Sequence, residues 1–265
     1  MPSPVAGFGV PPGRLPGNGG DGVSQSVKRA ARILDSIAEQ PKSVAQLAED
    51  FGIHRSTMFR ELQTLEEVGF ARRRKDGTYA PAFRLAVLGA ASLESLDLRE
   101  AAYSAVRRLH RAVGSTVHVA ALVEDEIVYV DKVEDAGRVR LYSRVGSPVR
   151  PQCSALGKAI LAALPETRRD DVLRDVDWRR YTKRTITDRA ALDAELKNVA
   201  QRGWAADDGE FEDVVNCVGV PITSSAGVVG ALSLTTLRVV HDLDELKTRL
   251  PLLQETAQRI SRELG

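Results

Sequence analysis

The sequence predicts an α+β fold in two parts: three helices with a β-hairpin, then an antiparallel sheet flanked by helices. Apolar residues recur at helical spacing from Ser24 to Val68, and the pair Asp76-Gly77 then gives a strong two-residue hairpin signal. Later segments, among them TVHVAALV and EIVYVDKV, alternate apolar and polar residues as half-buried strands do. Three helices followed by a hairpin make a winged helix-turn-helix.

Length and composition narrow the class of protein. The 265 residues are 43% hydrophobic, which is enough for two modest cores. No apolar stretch reaches the roughly 18 residues that span a bilayer, and the N-terminus lacks the pattern of a secretory signal. We therefore expect a soluble, cytoplasmic protein without a membrane partner. The net charge of +1 does not indicate a nucleic-acid binder, so any evidence for nucleic-acid binding must come from local clusters of positive charge.

The two cysteines, Cys153 and Cys217, occur without a CxxC pair or a Cys/His cluster at metal spacing. We expect two free thiols, no metal site and no cofactor. His118 and His241 are expected to be surface or hydrogen-bonded side chains, because neither has a second ligand at metal spacing.

The N-terminal region divides at about residue 23. Residues 1–22 contain five prolines and seven glycines with little regular apolar spacing, which predicts a disordered arm. The winged helix-turn-helix is assigned to residues 23–82. Its first helix ends before Pro41, and Ser43 with Gln46 forms a capping box for a short second helix that ends at Gly52.

The third helix, from His54 to Val68, is the candidate for reading DNA. Met58, Leu62 and Leu65 form its buried stripe, which leaves a polar set facing outward at its start: His54, Arg55, Ser56, Thr57, Phe59 and Arg60. Arginine can pair with guanine, whereas hydroxyl groups and a helix N-terminus suit phosphate oxygens. A basic run falls on the wing: Arg72, Arg73, Arg74 and Lys75. The alternative is that these are ordinary solvated surfaces.

Residues 83–98 are predicted to form a linker helix, and residues 99–265 a second domain. Beyond the two strands quoted above, RVRLYSRV, CVGVPIT and VVGALSLTTL also have strand patterns. Ser154 caps an apolar helix that runs through Leu164, and further helices are expected over about 169–176 and 188–202. A final leucine-rich seam packs either on the sheet or on a second subunit, with a break near Arg249 and Leu250 before Pro251.

Several segments resemble the IclR-type family of bacterial regulators. In the N-terminal part these are SVKRAARILDSIAE, LAEDFGIHRSTMFRELQTLEEVGF and the GTY of the wing. In the C-terminal part they are DKVE, SALGKAILAALP, TKRTITD, WAADDGEFEDVVNCVGVPI and GALSLT. They occur in the order and spacing of that family and span about residues 24 to 262.

The resemblance implies a GAF-like domain that binds a small-molecule effector, commonly a small carboxylate, and homodimers or homotetramers that occupy palindromic operators in double-stranded DNA. The domain over 99–265 would then serve both effector binding and oligomerisation. Matching positions imply effector contacts at Leu141, Val149, Ala155, Leu156, Asp207, Cys217, Ser233 and Thr235. Three positions depart from the family pattern: Arg150 replaces a usual proline, Ala80-Pro81-Ala82 replaces Arg-Leu-Gly, and Glu61 replaces an apolar residue.

These effector positions also make physical sense. A helix that opens at Ser154 presents unpaired amides that suit an anion. Ser233 and Thr235 alternate along one strand, so their hydroxyls share a face on which Cys217 can join them. Alternatively, Cys217 is a small buried residue, the two hydroxyls are ordinary strand residues, and the helix forms only core, with Lys158 solvated.

We therefore expect a DNA-binding transcriptional regulator under effector control, and not an enzyme. One alternative is an enzyme in which Cys153 or Cys217 is a nucleophile served by His118 or His241, but the sequence lacks recognisable catalytic motifs. The other alternative is a sensor module whose winged helix binds a protein.

Overall fold

The computed structural model describes residues 24–94, 96–135 and 143–265. The chain forms two compact units, which meet in sequence between Ser92 and Leu93. The predicted arm over 1–22, Leu141 and most of the predicted strand RVRLYSRV lie outside the described residues. None of the helices in the described ranges combines the length and apolar character that a membrane span requires.

The N-terminal unit begins with three helices: α1 (Gln25–Glu39), α2 (Val44–Phe51) and α3 (Arg55–Glu67). The predicted capping box is present, since Ser43 and Gln46 each bind the other's backbone amide. Gly52 ends α2 in the left-handed conformation with φ 62°, which a residue without a Cβ adopts at little cost.

The hairpin that follows consists of β1 (Ala71–Arg73) and β2 (Tyr79–Pro81). Gly77, at φ 81°, provides the positive φ that the turn requires. Tyr79 is 1% exposed and exchanges two backbone hydrogen bonds with Lys42, so the hairpin is tied to the segment between α1 and α2. The buried residues of this unit form one core: Ile33, Ile37, Leu47, Ala48, Met58, Leu62, Leu65, Ala71 and Tyr79.

Two helices separate the hairpin from the sheet. They are α4 (Phe83–Glu94), in which no residue is buried, and α5 (Asp97–Val113). α5 buries Leu98, Ala102, Val106 and Leu109, because these apolar residues recur every three or four positions.

A five-stranded antiparallel sheet forms the centre of the C-terminal unit. Its strands are β3 (Thr116–Val123), β4 (Glu126–Val133), β5 (Ala205–Asp208), β6 (Val215–Ser224) and β7 (Gly227–Leu237). Their order across the sheet is β4-β3-β7-β6-β5. The alternation of apolar residues predicted β3, β4, β6 and β7. It did not predict β5, whose sequence AADD has a weak strand pattern.

Helices cover both faces of the sheet. The helices on one face are α6 (Ala155–Ala163), α7 (Glu166–Leu173) and α8 (Arg189–Arg202), whose apolar residues join Ala120, Ala205 and Ala231 in one core. The helices on the other face are α5, α9 (Leu243–Lys247) and α10 (Leu250–Leu264).

The leucine-rich seam at the C-terminus packs on the sheet, which resolves the alternative left by the sequence. Leu246, Leu253 and Ile260 are at most 2% exposed and share a core with Val218 and Leu232. The break before Pro251 is also confirmed, because α9 ends at Lys247 and α10 begins at Leu250 with proline in its first turn.

Candidate functional site

The start of α3 presents polar side chains to solvent. His54 is its N-cap, and the ring Nδ1 accepts the Ser56 amide at 3.4 Å and lies 2.9 Å from the Ser56 hydroxyl. The side chains of Arg55 and Arg60 are exposed and form no ion pair with any described residue. These cations are therefore free to meet an anionic partner.

The other predicted positions on α3 differ in exposure. Phe59 is 39% exposed, and Thr57 is half-buried. Met58, Leu62 and Leu65 are buried as the pattern predicts. The helix thus turns one apolar stripe into the core and leaves its first turns on the surface.

The wing carries its basic residues on the outside. Arg72, Arg73, Arg74 and Lys75 are all exposed. Arg74 lies 3.6 Å from Asp76, a weak surface pair, and the Arg73 amide donates to Glu66 at 3.3 Å. Thr78 donates two hydrogen bonds to the carboxylate of Asp76, and these bonds lower the pKa of Asp76. They also hold together the turn that follows the basic run.

Glu61, one of the departures from the family pattern, joins two helices of the N-terminal unit. Its carboxylate accepts Arg29 Nε at 2.8 and 3.0 Å and pairs with the second guanidinium nitrogen at 2.5 Å. This two-pronged contact, which also raises the pKa of Arg29, links α3 to α1.

The C-terminal unit has polar side chains on one face of its sheet. Strand pairing places Cys217 opposite both Asp207 and Thr235. On the neighbouring strands, Ser233 lies opposite His118. Because side chains two residues apart share a face, β5, β6, β7 and β3 together bring these five polar groups into one cluster.

The N-terminus of α6 lies over this cluster. Ser154 caps the helix by accepting the Gly157 amide at 3.0 Å, while its own hydroxyl donates to the carbonyl of Arg150 at 2.7 Å. Ala155 and Leu156 are buried at the start of the helix. Their amides donate to no backbone carbonyl among the described residues, as expected for the first turn of a helix.

A close backbone contact fixes the position of α6. A Cβ added at Gly219 would lie 2.9 Å from the carbonyl carbon and oxygen of Ala155. Only glycine therefore lets β6 pass so near to the first turn of the helix. The same contact brings the first turn of α6 close to the strand pair in which Ser233 lies opposite Gly219.

The hydroxyl and thiol groups of the cluster differ in their partners. Cys217 Sγ and Thr235 Oγ1 are 2.8 Å apart, whereas the fully buried Ser233 Oγ makes no hydrogen bond of good geometry to a described residue and lies close enough to the Cys217 thiol to lower its pKa. Burial, with the nearby Asp207, raises the pKa of Cys217 to about 12, so the thiol is neutral. Both cysteines are buried free thiols, as expected.

An ion pair that the sequence did not predict lies beneath α6. Lys158 is 1% exposed, so the idea of a solvated lysine is wrong, and its ammonium binds the carboxylate of Glu210. The other carboxylate oxygen of Glu210 has no hydrogen-bond partner in the part of the chain that the structure describes. Asp207 accepts the Glu210 amide at 2.7 Å, which brings two carboxylates near one ammonium.

The charge on Asp207 is sensitive to pH. Burial, reinforced by the charge of Glu210 and opposed by Lys158, raises the pKa of Asp207 to about 7. Burial also raises the pKa of Glu210. An effector with a hydrogen-bond donor would find acceptors at both side chains.

No sequence pattern indicated that His118 would belong to the cluster or that Tyr129 would border it. His118 Nδ1 lies 3.2 Å from Thr235 Oγ1, and Nε2 lies 2.6 Å from Ser143 Oγ. Burial lowers the pKa of His118 to about 3, so the ring is neutral. The Tyr129 ring is 5.5 Å from it, and burial beside Cys217 raises the pKa of Tyr129.

The apolar lid implied by the resemblance is only partly described. Val149 is 5% exposed and packs in the core with Leu156 and Ile160, while its amide donates to the Ile127 carbonyl at 2.7 Å. It therefore lies beneath the start of α6. In the described ranges, no group of three His, Cys, Asp or Glu side chains is placed to hold a metal ion.

Comparison with known proteins gives two family matches. Residues 26–75 match the IclR helix-turn-helix domain, and residues 90–262 match the bacterial transcriptional regulator IclR C-terminal domain. A similar curated protein is the HTH-type transcriptional regulator KdgR of Escherichia coli, 33% identical over 250 residues, which cover 92% of this chain and 94% of KdgR.

Solved structures support the same family match. The Thermotoga maritima IclR structure is 34% identical with a TM-score of 0.74, and the match covers 91% of this chain and 98% of that one. An IclR homologue from Microbacterium hydrocarbonoxydans, solved with 4-hydroxybenzoate, has a TM-score of 0.75 at 24% identity, over 91% and 99% of the two chains. The second likeness is one of fold.

Proposed function

Because the chain belongs to the IclR family of bacterial transcriptional regulators, we propose that α3 and the β1–β2 hairpin bind a DNA operator, and that a small carboxylate bound to the C-terminal unit controls this binding. The observation that carries the proposal is the convergence of Asp207, Cys217, Ser233 and Thr235 under the N-terminus of α6. Such a function would also place the chain in the cytoplasm, where bacterial DNA lies.

The DNA-binding half of the proposal rests on exposure and charge. Arg55 and Arg60 are free cations on the first turns of α3, the part of a recognition helix that meets base edges. Ser56 and Thr57 add hydroxyls for phosphate oxygens. The basic run from Arg72 to Lys75 would then reach the backbone beside the groove.

The effector half rests on groups that make no well-formed hydrogen bond to the described residues. The first amides of α6 and the Ser233 hydroxyl together offer hydrogen-bond donors for one carboxylate. Cys217 and Thr235 lie beside them. The bound 4-hydroxybenzoate of the neighbour with the same fold is a reason to include hydroxybenzoates among the acids tested.

A homodimer or homotetramer is part of the proposal, since a palindromic operator needs paired α3 helices. α4 supports it, because Phe83, Val87 and Leu88 are 83%, 67% and 49% exposed on a largely apolar helix. A second copy of this chain would remove that surface from water. We further propose that residues 83–98 act as the linker through which effector binding changes the separation of the two α3 helices.

The test is a gel shift with DNA from upstream of the chain's own gene, at several salt concentrations, with and without a panel of acids. Sequence-selective binding that weakens as salt rises, and that an acid changes, supports the proposal. Removing one phosphate-binding cation of the wing, as in Arg72→Ala or Lys75→Ala, should lower the salt slope by about one. Absence of any preference over random DNA would favour a module that binds a protein instead.

A further inference from the structure

Arg150, the residue that departs from the family pattern just before α6, is held between two aromatic rings. Its guanidinium carbon lies 5.1 Å from the centre of the Tyr181 ring and 5.6 Å from that of Phe211. The two rings pack edge to face, 4.9 Å apart at 72°. Cation–π contact with two rings favours this position of the guanidinium.

The charge of Arg150 has no counterion among the described residues. No described carboxylate lies within ion-pair distance of it, and none of its guanidinium N–H groups donates to a described acceptor. Two neighbouring arginines, by contrast, do have carboxylate partners. Arg179 Nε lies 3.6 Å from Asp177, and Arg184 pairs with Asp208. A half-buried guanidinium with five unused donors is suited to bind an anion.

The position of Arg150 connects it to the candidate effector site. Its carbonyl accepts the hydroxyl of Ser154, the cap of α6. Burial, together with Asp207 and Glu210, raises the pKa of the Cys153 thiol, and Arg150 and Lys158 oppose that effect. The two cations and the two carboxylates are therefore all close enough to Cys153 to act on its thiol. Lys158 is already bound to Glu210, whereas Arg150 is not.

We propose that Arg150 is a specificity-determining residue that binds a second carboxylate of the effector, so that this chain responds to dicarboxylic acids. This inference rests on the proposed function, in which the α6 amides and Ser233 take the first carboxylate. The planar fork of Arg150 matches a carboxylate with two parallel hydrogen bonds. Because contact with the two rings favours one position of the guanidinium, ligand binding costs it less conformational freedom than it would cost a free side chain.

The test compares matched acids by calorimetry and thermal shift on the full chain. The pairs are glutarate with pentanoate and terephthalate with benzoate. At low salt at least one diacid should bind about tenfold or more tightly than its monoacid, the gain expected for one charge-assisted carboxylate contact. In Arg150→Gln this preference, measured as the ratio of diacid to monoacid affinity in the same variant, should fall to within about threefold.

Two further variants make the test specific. Arg179→Gln removes a cation that stacks on the same Tyr181 ring at 4.6 Å but already pairs with Asp177, so it should keep the preference. Arg150→Lys keeps the charge without the planar fork and should retain only part of the preference. The melting temperature of each variant without ligand shows whether it folds.

The outcomes separate this inference from the function on which it rests. If monoacids and diacids bind equally to the wild-type chain, or if the preference survives Arg150→Gln, the role of Arg150 is wrong while the effector site stands. If no acid of either kind binds, the effector half of the proposed function fails, and the role of Arg150 fails with it.

Discussion

Lys158 and Glu210, 52 residues apart in sequence, form an ion pair in which the side chains are 1% and 13% exposed. The lysine lies on α6, and the glutamate follows β5, so the pair joins the helix to the sheet edge that carries Asp207. Since a second carboxylate lies close by, this ammonium stabilises more negative charge than one partner supplies.

Lys158→Met should destabilise the chain by about 3–5 kcal/mol, because it removes the ammonium but leaves Glu210 in a buried site. Urea unfolding followed by circular dichroism measures the change. Lys247→Ala is a matched control, since Lys247 pairs with Asp244 on the surface and its removal should cost about 0.5 kcal/mol or less. Equal destabilisation in the two variants would show that the buried Lys158–Glu210 pair contributes no more to stability than a surface ion pair.

The raised pKa of Asp207 makes the folding stability of the chain depend on pH. The folded pKa of about 7 lies above the ordinary 3.8, so the folded chain holds this proton more tightly than the unfolded chain does. The stabilising contribution of Asp207 is therefore full below about pH 4 and is lost as the pH rises to 7. Glu210 acts in the same direction, because its pKa is also raised.

The variant Asp207→Asn isolates this effect, since the amide oxygen can still accept the Glu210 amide. The free energy of unfolding of the variant, minus that of the wild type, should increase from pH 4 to pH 7 and then level off. His118 acts in the opposite sense, with a pKa lowered to about 3, but it is present in both proteins and cancels from the difference. A difference that is flat with pH would contradict the raised pKa.

Gly219→Ala should destabilise the C-terminal unit by about 1–3 kcal/mol, because the new methyl group would press against the backbone of Ala155. It should also weaken acid binding, since α6 must shift away from Ser233. Gly89→Ala makes the same chemical change on α4, where no atom lies within 4 Å of the added Cβ. That control should stabilise the chain by about 0.4–1 kcal/mol. Thermal unfolding of both variants measures the change in stability, and titration with the carboxylic acid ligand measures the change in binding.

Arg60→Ala and Ser56→Ala should weaken operator binding with little change in melting temperature, because both side chains are exposed on α3. For Arg60→Ala the free energy of operator binding should weaken by about 1–3 kcal/mol if the residue reads a guanine. Lys197→Ala, an exposed lysine on α8, controls for the removal of one positive charge. Operator affinity equal to that of the wild type in both α3 variants would mean that this helix does not read the DNA.

Local sequence signals predicted most of the elements. The Ser43 capping box and the stripe of Met58, Leu62 and Leu65 act over a few residues, and the structure contains both. The hairpin is also where Asp76-Gly77 predicts it, but its connection is longer than two residues, because the strands end at Arg73 and resume at Tyr79. β5 escaped prediction because four residues gain strand structure from pairing with β6 rather than from their own pattern.

The candidate site was predicted less completely, for a related reason. Ser233 and Thr235 share a strand, so their common face follows from alternation alone. The contacts of Lys158 with Glu210 and of His118 with Thr235 join segments 52 and 117 residues apart. No local pattern predicts such pairs, and a buried lysine contradicts the ordinary preference of that residue for water.

The two faces of the central sheet have different chemistry. The face toward α5 and α10 is built from large apolar residues such as Val119, Leu232 and Leu234, whereas the face toward α6 carries small and polar ones such as Gly219, Ser233 and Thr235. Most of the hydrophobic stabilisation of the strands can therefore come from the α5 and α10 side. If the α6 side is the effector site proposed above, substitutions there change which acid is bound while the sheet survives, so that one scaffold acquires new ligands over evolution.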